Sequence, residues 1–471
     1  MRFKIDTEGF KKNLFLKDTF RHKPGKVIKV FPFIANATSL REEEVKLALI
    51  DFKGVAGACF REAMGLSQNA DFDKDKFIAV VCEKAGAPGD PNLKNILESV
   101  AFDEHGQLVL FDVLVYPHIR HSKFNPTLTN IAKCLYSVFF DLNEQQNLKS
   151  LANKDPDNLL YKLILLCLPA DEKEENVHER YVMASEKTKA LFKKDLQTLL
   201  SQPDLFVNSF HQLLKFYFFR YITDLTIELN SFFDQPTDKL FFSVQWEKLQ
   251  DYRLPITNGW KMFENHVEKI FSHAVNLEMI NYIEGFQDGP LTYQQISVHL
   301  ASMDKDEKDE LKEALNELKE MYKEGIKDVN WGNFSPSQVD TDEATVQRAI
   351  IELFEMIEFQ FGQSNRERAK EAYQQWMIDF TNFNFSRKRG KLGLSLALNQ
   401  EQLLLLTRLC VGNHDRIRLN QLWDELEQRG VRFDNVSRDH VLSYYEKINL
   451  LEKKSDSGDA QYISKFNPTM L

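Results

Sequence analysis

The chain has 471 residues, of which 43% are hydrophobic and 28% charged, and a formal net charge of −10. This composition is near ordinary globular usage, so disorder is not the default; the length leaves room for about three domains of roughly 150 residues, and the charge gives the whole chain no electrostatic pull toward DNA or anionic lipid. Only 19 glycines and 14 prolines occur; because both interrupt helices and glycine builds phosphate loops, their scarcity predicts helices rather than an α/β nucleotide enzyme.

Residues 1–125 read as a small α+β region. Met1–Lys12 carries charges of both signs and no apolar run, which predicts no signal peptide. Val27, Val30 and Phe33 mark a short extended stretch, and Leu108, Leu110, Val113 and Val115 alternate as a strand would. Between them Ser39 and Glu42 form a capping-box pattern, followed by Val45, Leu49, Phe52 and Ala56 at helical spacing up to Gly65.

Residues 126–386 read as a helical domain. Phe210, Leu214, Tyr217, Tyr221 and Leu225 mark one helix face, and Phe216 and Phe219 make the other side apolar too, which predicts a central position. Phe263, Val267, Ile270, Ala274 and Leu277 give a lengthwise packing seam. Asp304–Gly325 is highly charged, with Leu311, Leu315 and Leu318 as a narrow stripe, the pattern of a surface helix. Val346, Ile350, Phe354 and Ile357 define a further helix closed by Gly362. Ser364 with Glu367 then opens one lined by Ala369, Tyr373, Trp376, Phe380 and Phe383. No repeat of fixed period is present, although a helical solenoid also fits.

Residues 387–471 change pattern again. A helix from Asn399 through Cys410, a short strand at Arg416–Leu419, a helix to Gly430, a third helix capped by Ser437, and a hairpin of 450–454 with 460–464 follow in order. That is the order of a winged helix, a variant of the helix-turn-helix. The expected fold is therefore mainly α: a multi-helix bundle with a small α+β N-terminal part and a C-terminal winged-helix-like domain.

Catalytic signatures are missing. His22-Lys23-Pro24-Gly25-Lys26 has a Gly-Lys pair but neither the earlier glycine nor the hydroxyl residue of a phosphate loop. Gly54 and Gly57 fall inside a helix, where close packing explains them. Asp71, Asp73 and Asp75 resemble the start of a calcium loop, but Lys76 and Cys82 occupy its glycine and glutamate positions. His118 and His121 are three apart yet lack a third ligand, so surface histidines are the plainer reading. Glu83-Lys84 after Phe77–Cys82 has the form of a nuclease strand end, without a visible second acid. Five scattered cysteines without a CxxC pair fit reduced thiols in a cytoplasmic protein. No apolar run is long enough to span a membrane, and no cofactor or metal is expected.

The basic run Arg387, Lys388, Arg389 and Lys391 is the best candidate for contact with DNA, since each charge can neutralise a phosphate. From Arg387 onward 14 lysines and arginines stand against 11 acids. Arg438 and Lys447 on the third helix, and Lys453 and Lys454 in the wing, complete the candidate set. They are interleaved with Asp439, Glu446, Glu452, Asp456 and Asp459, which favours backbone contact or protein docking over base reading.

Three segments of this end resemble a known family: Leu392-Gly393-Leu394-Ser395-Leu396-Ala397-Leu398, the run Leu403–Cys410, and Glu452–Tyr462. They are similar to the end of the DptG (DndG) family of DNA phosphorothioation-dependent restriction proteins. The resemblance implies a bacterial defence role beside a DptF-like ATPase and a DptH-like helicase or translocase. It supplies no catalytic residue. The expected function is a non-enzymatic restriction subunit that bridges those partners and contacts the DNA backbone. The alternatives are a protein-interaction scaffold without DNA contact, a metal-dependent nuclease in residues 1–125, and, more weakly, a DNA-binding regulator.

Overall fold

The computed structural model describes residues 2–66, 73–104, 106–120, 125–152, 158–168, 180–286, 289–337, 345–364, 366–453 and 461–465. Most of them lie in helices, and the protein is mainly α with small sheets.

At the amino end, Asp6 caps helix Thr7–Leu14 through the Gly9 amide at 2.9 Å. The stretch around Val27–Phe33 is not a sheet strand. Its one bridge joins Lys29 to Tyr181, and Val30, Phe31 and Phe33 are buried beneath it. The reason lies in its amides: those of Gly25, Lys26, Val27 and Ile28 all donate to the buried Glu278 carboxylate, at 2.9–3.3 Å. Donors spent on a side chain are lost to a ladder.

The expected capping box at Ser39 is also corrected. Residues Thr38–Arg41 form a single 3-10 turn, and the helix starts at Glu43 without a side-chain cap. Phe52 then takes a left-handed conformation (φ 65°) and breaks the run into Glu43–Asp51 and Lys53–Met64, the latter ending at Gly65 as expected. A side chain on Gly57 would meet the backbone oxygens of Ile119 and Tyr116 at 2.5 and 2.8 Å, so the close-packing reading of this glycine stands.

The alternating run after Gly106 does not make a strand. Leu108 bridges Phe102 alone, and Val113–His118 winds into 3-10 turns whose start Asp112 caps through the Leu114 amide. Alternation survives as burial, with Val113 and Val115 inside. Tyr116 is held by its hydroxyl donating to the Val207 carbonyl at 2.9 Å. Helices Lys74–Lys84, Pro91–Ala101 and Leu159–Cys167 enclose a small separate core of Phe77, Ile78, Val81, Leu97 and Ile164.

Helix Pro203–Asn230 occupies the predicted central position. Both of its sides are apolar, and Phe210, Leu214, Phe218, Phe219 and Ile222 are closed to solvent. The seam from Phe263 to Leu277 is buried throughout, but the chain turns at Glu268–Lys269, so helices Met262–Val267 and Ile270–Ile280 share it. Helix Lys305–Gly325 buries Leu311, Leu315 and Leu318, as its stripe predicts. Gly362 sits inside helix Val346–Gln363 rather than beyond it. Ser364 does not cap the next helix, Glu367–Asn384, whose N-cap position is Arg366.

In the carboxyl-terminal part, helix Gln400–Val411, strand Arg416–Arg418, helix Leu419–Gln428, helix Asn435–Lys447 and strands Leu451–Lys453 and Gln461–Ser464 follow in the predicted order. The strands form one antiparallel sheet with Gln461–Ser464 between the other two. A second sheet was not foreseen. Strand Phe241–Val244 lies between Leu394–Leu398 and Arg432–Phe433, parallel to both, and Ser386–Lys388 adds antiparallel to Leu394–Leu398. The 387 boundary is thus crossed by a continuous sheet.

Candidate nucleic-acid interface

The basic run is structured rather than a linker. Arg387 and Lys388 belong to strand Ser386–Lys388, and Lys391 follows in a 3-10 turn; all three side chains are exposed. Arg389 points the other way. Its guanidinium donates to the hydroxyls of Ser395 (2.9 Å) and Ser243 (2.8 Å) and to the carbonyls of Val244 (2.9 Å) and Glu247. Burial pulls its pKa down to about 10, although Glu247 opposes this. Arg389 therefore ties strand Phe241–Val244 to strand Leu394–Leu398, and its donors are engaged within the protein rather than offered to a phosphate.

The third helix is held at its amino end. Asp434, not Ser437, is its cap, accepting from the Ser437 amide at 2.9 Å. Arg253 reaches across to donate to Asp434 (2.9 Å) and to Glu247, and the Ser437 hydroxyl donates to Glu247 at 2.9 Å. Burial works against Asp434, yet the Arg253 guanidinium and the Ser437 amide hold its carboxyl below the usual range. Arg438 is likewise occupied, pairing with Glu427 at 3.2 Å and lying over the Trp423 ring at 5.1 Å from its centre. What the helix leaves exposed near its start is Asn435, Val436 and Asp439, a poor set for reading base edges.

Lys447, at the far end of this helix, is exposed. One turn before it stands half-buried Tyr444, whose ring packs on Trp246 with centroids 5.0 Å apart. Trp246 in turn lines a groove of about 450 Å³ together with Gln245, Arg387, Asn399, Gln400 and Glu401. Arg387 thus shares the groove with Trp246, and Lys447 shares a helix with Tyr444, the aromatic partner of Trp246. Sequence reasoning missed Trp246, and of the two adjacent tyrosines it is Tyr445 that is fully buried while Tyr444 stays half-buried. The signal available was an aromatic residue two positions after the short stretch Phe241–Val244.

Lys453 ends strand Leu451–Lys453, while Lys454 and the turn Ser455–Asp459 lie outside the described residues. So do His121 and Asp71. His118 is buried, and desolvation, helped by Arg120 and Arg61, lowers its pKa to about 4, which suits a core histidine. Asp73 caps helix Lys74–Lys84 through the Lys76 amide at 3.0 Å. That helix also corrects the nuclease-strand reading: Phe77–Cys82 and Glu83-Lys84 are helical, with Glu83 exposed and the Lys84 amine donating to the Leu166 carbonyl at 3.1 Å. Among the described residues no three His, Cys, Asp or Glu side chains gather as a metal site would require, and no helix is long and apolar enough to cross a membrane. All five cysteines carry free thiols.

No family model matches the chain, and no curated protein matches it.

Proposed function

We propose that the chain is a non-enzymatic subunit of a bacterial phosphorothioation-dependent DNA restriction complex. In this role it joins a DptF-like ATPase to a DptH-like helicase or translocase and touches DNA only through the backbone. The resemblance of its carboxyl-terminal segments to the DptG family motivates the assignment. The observation that carries the backbone part is the state of the third helix in a module with winged-helix element order. Its amino end is clamped by Arg253 and Glu247 and its Arg438 is paired, whereas Arg387, Lys388, Lys391 and Lys447 are among the exposed cations of the described residues. Exposed cations hold phosphates without reading sequence.

Gentle tagged purification from the native host, with mass spectrometry of co-eluting proteins, tests the reading. Recovery of an ATPase and a helicase-like protein supports it; recovery of the chain alone removes it. A scaffold that never meets DNA is the second reading, favoured by the internal engagement of Arg389 and Arg438. Absence of DNA from the purified assembly at low salt selects it.

A further inference from the structure

We propose that the groove beside Trp246 binds single-stranded nucleic acid, with one unstacked base on the Trp246–Tyr444 pair and the adjoining phosphates on Arg387 and Lys447. This rests on the reading that the chain meets DNA through its exposed cations, and it goes further by naming the strand state of the ligand.

Three independent features converge. Trp246 and Tyr444 are both half-buried and in ring contact at 5.0 Å, so one supports the other as a rigid apolar platform. The groove of about 450 Å³ is lined by Trp246 and by the amide-bearing residues Gln245, Asn399 and Gln400. Of these, Asn399 spends its side-chain oxygen on the Gln402 amide at 2.8 Å, which leaves Gln245 and Gln400 as the groove's adaptable polar groups. Each member of the pair has an exposed cation with it: Arg387 lines the groove alongside Trp246, and Lys447 follows Tyr444 by one helical turn. Glu401 shares the wall. Its carboxylate disfavours a phosphate inside the groove, so the base belongs within and the phosphates at the rim.

A base presents its flat face only when it is unstacked. A duplex keeps those faces inside and offers a recessed tryptophan nothing but backbone, whereas a single strand supplies both a face and flanking charge. The pairing of aromatic platform and exposed cations therefore selects the single strand. Sequence tolerance follows, because every base has a face to stack.

The test is fluorescence anisotropy of a labelled oligo-dT strand, and of a duplex of the same length, titrated with the full chain. The expected result is preference for the strand, weakened about 5- to 100-fold by Trp246→Ala and largely kept by Trp246→Phe. Arg387→Gln and Lys447→Gln should each lower the salt slope by about 0.7. Thermal melting of each variant separates lost binding from lost folding. Equal or better binding of the duplex, untouched by Trp246→Ala but lost with the cations removed, overturns the stacking site and keeps the backbone contact. Binding of neither probe overturns both. Co-purification of partners with the Trp246→Ala variant reports the subunit role separately.

Discussion

Arg429 and Asp195 form an ion pair in which both side chains are fully closed to solvent, joining the carboxyl-terminal module to helix Glu186–Leu200. The guanidinium donates to Asp195 at 2.9 Å, the Tyr217 hydroxyl donates to the same carboxylate at 2.7 Å, and Glu425 takes the remaining edge at 2.7 Å. Every charge has a partner, as burial demands. Asp195→Ala strands the guanidinium and should cost about 3–5 kcal/mol in urea unfolding. The double variant Asp195→Leu, Arg429→Met should recover most of the loss. Equal destabilisation of both variants would show that packing, not charge, holds this contact.

The clamp on the third helix gives a pH prediction. Burial resists the charge on Asp434, but Arg253 and the Ser437 amide win, and its carboxyl lies below the ordinary value of 3.8. As pH falls the unfolded chain therefore takes up this proton first. The stability contributed by Asp434 is complete above the ordinary value and is lost as pH drops through the lower folded one. Asparagine is an equally good helix cap, so Asp434→Asn isolates the charge. Its stability deficit should be present at neutral pH and vanish in strong acid, read from denaturation midpoints across pH. A deficit that persists in acid would sink the assignment.

Gly57 marks the closest approach of helix Lys53–Met64 to the turn at Tyr116–Ile119, where a Cβ would lie 2.5 Å from a backbone oxygen. Backbone yields less readily than a flexible side-chain end. Gly57→Ala should destabilise by about 1–3 kcal/mol through overpacking, despite the higher helix propensity of alanine. An unchanged melting temperature would mean that the helix and turn can separate freely.

The basic run predicts opposite behaviour from neighbouring residues. Neutralising Arg387, Lys388 and Lys391 together should leave melting unchanged and reduce the salt slope of duplex-DNA binding by up to about 2.7, near 0.9 for each phosphate released. Arg389→Gln should instead lower the melting temperature with little change in slope, because its hydrogen bonds hold Ser243, Ser395 and Val244. If Arg389→Gln alone abolished the slope, the internal placement of that side chain would be wrong in solution.

Long helices were legible because many turns repeat the same face. Leu311, Leu315 and Leu318 are buried as their spacing says, and both sides of Pro203–Asn230 are covered. Short apolar runs were not. Phe77–Cys82 turned out helical and Phe241–Val244 a strand, and four to six apolar residues cannot distinguish a buried strand from a buried turn of helix. The better guide at Phe77 was Asp73, which caps the helix. Arg389 was illegible for another reason. Its partners Ser243, Val244 and Glu247 are more than 140 residues away, so nothing local separates it from Arg387 and Lys388. A still longer separation hid Trp246 from Tyr444.

Strand Phe241–Val244 has a consequence for how this chain can be divided. Among the described residues it is the sole sheet neighbour of Arg432–Phe433, and it closes one edge of Leu394–Leu398. A fragment beginning at Arg387 would expose the edge of an apolar strand with unpaired amides and carbonyls, a template for cross-chain pairing. The last eighty-odd residues are thus no interchangeable cassette. Recombination that transplanted them without the loaned strand would deliver an aggregating piece, and any lineage that exchanges this module must exchange residues 241–244 with it.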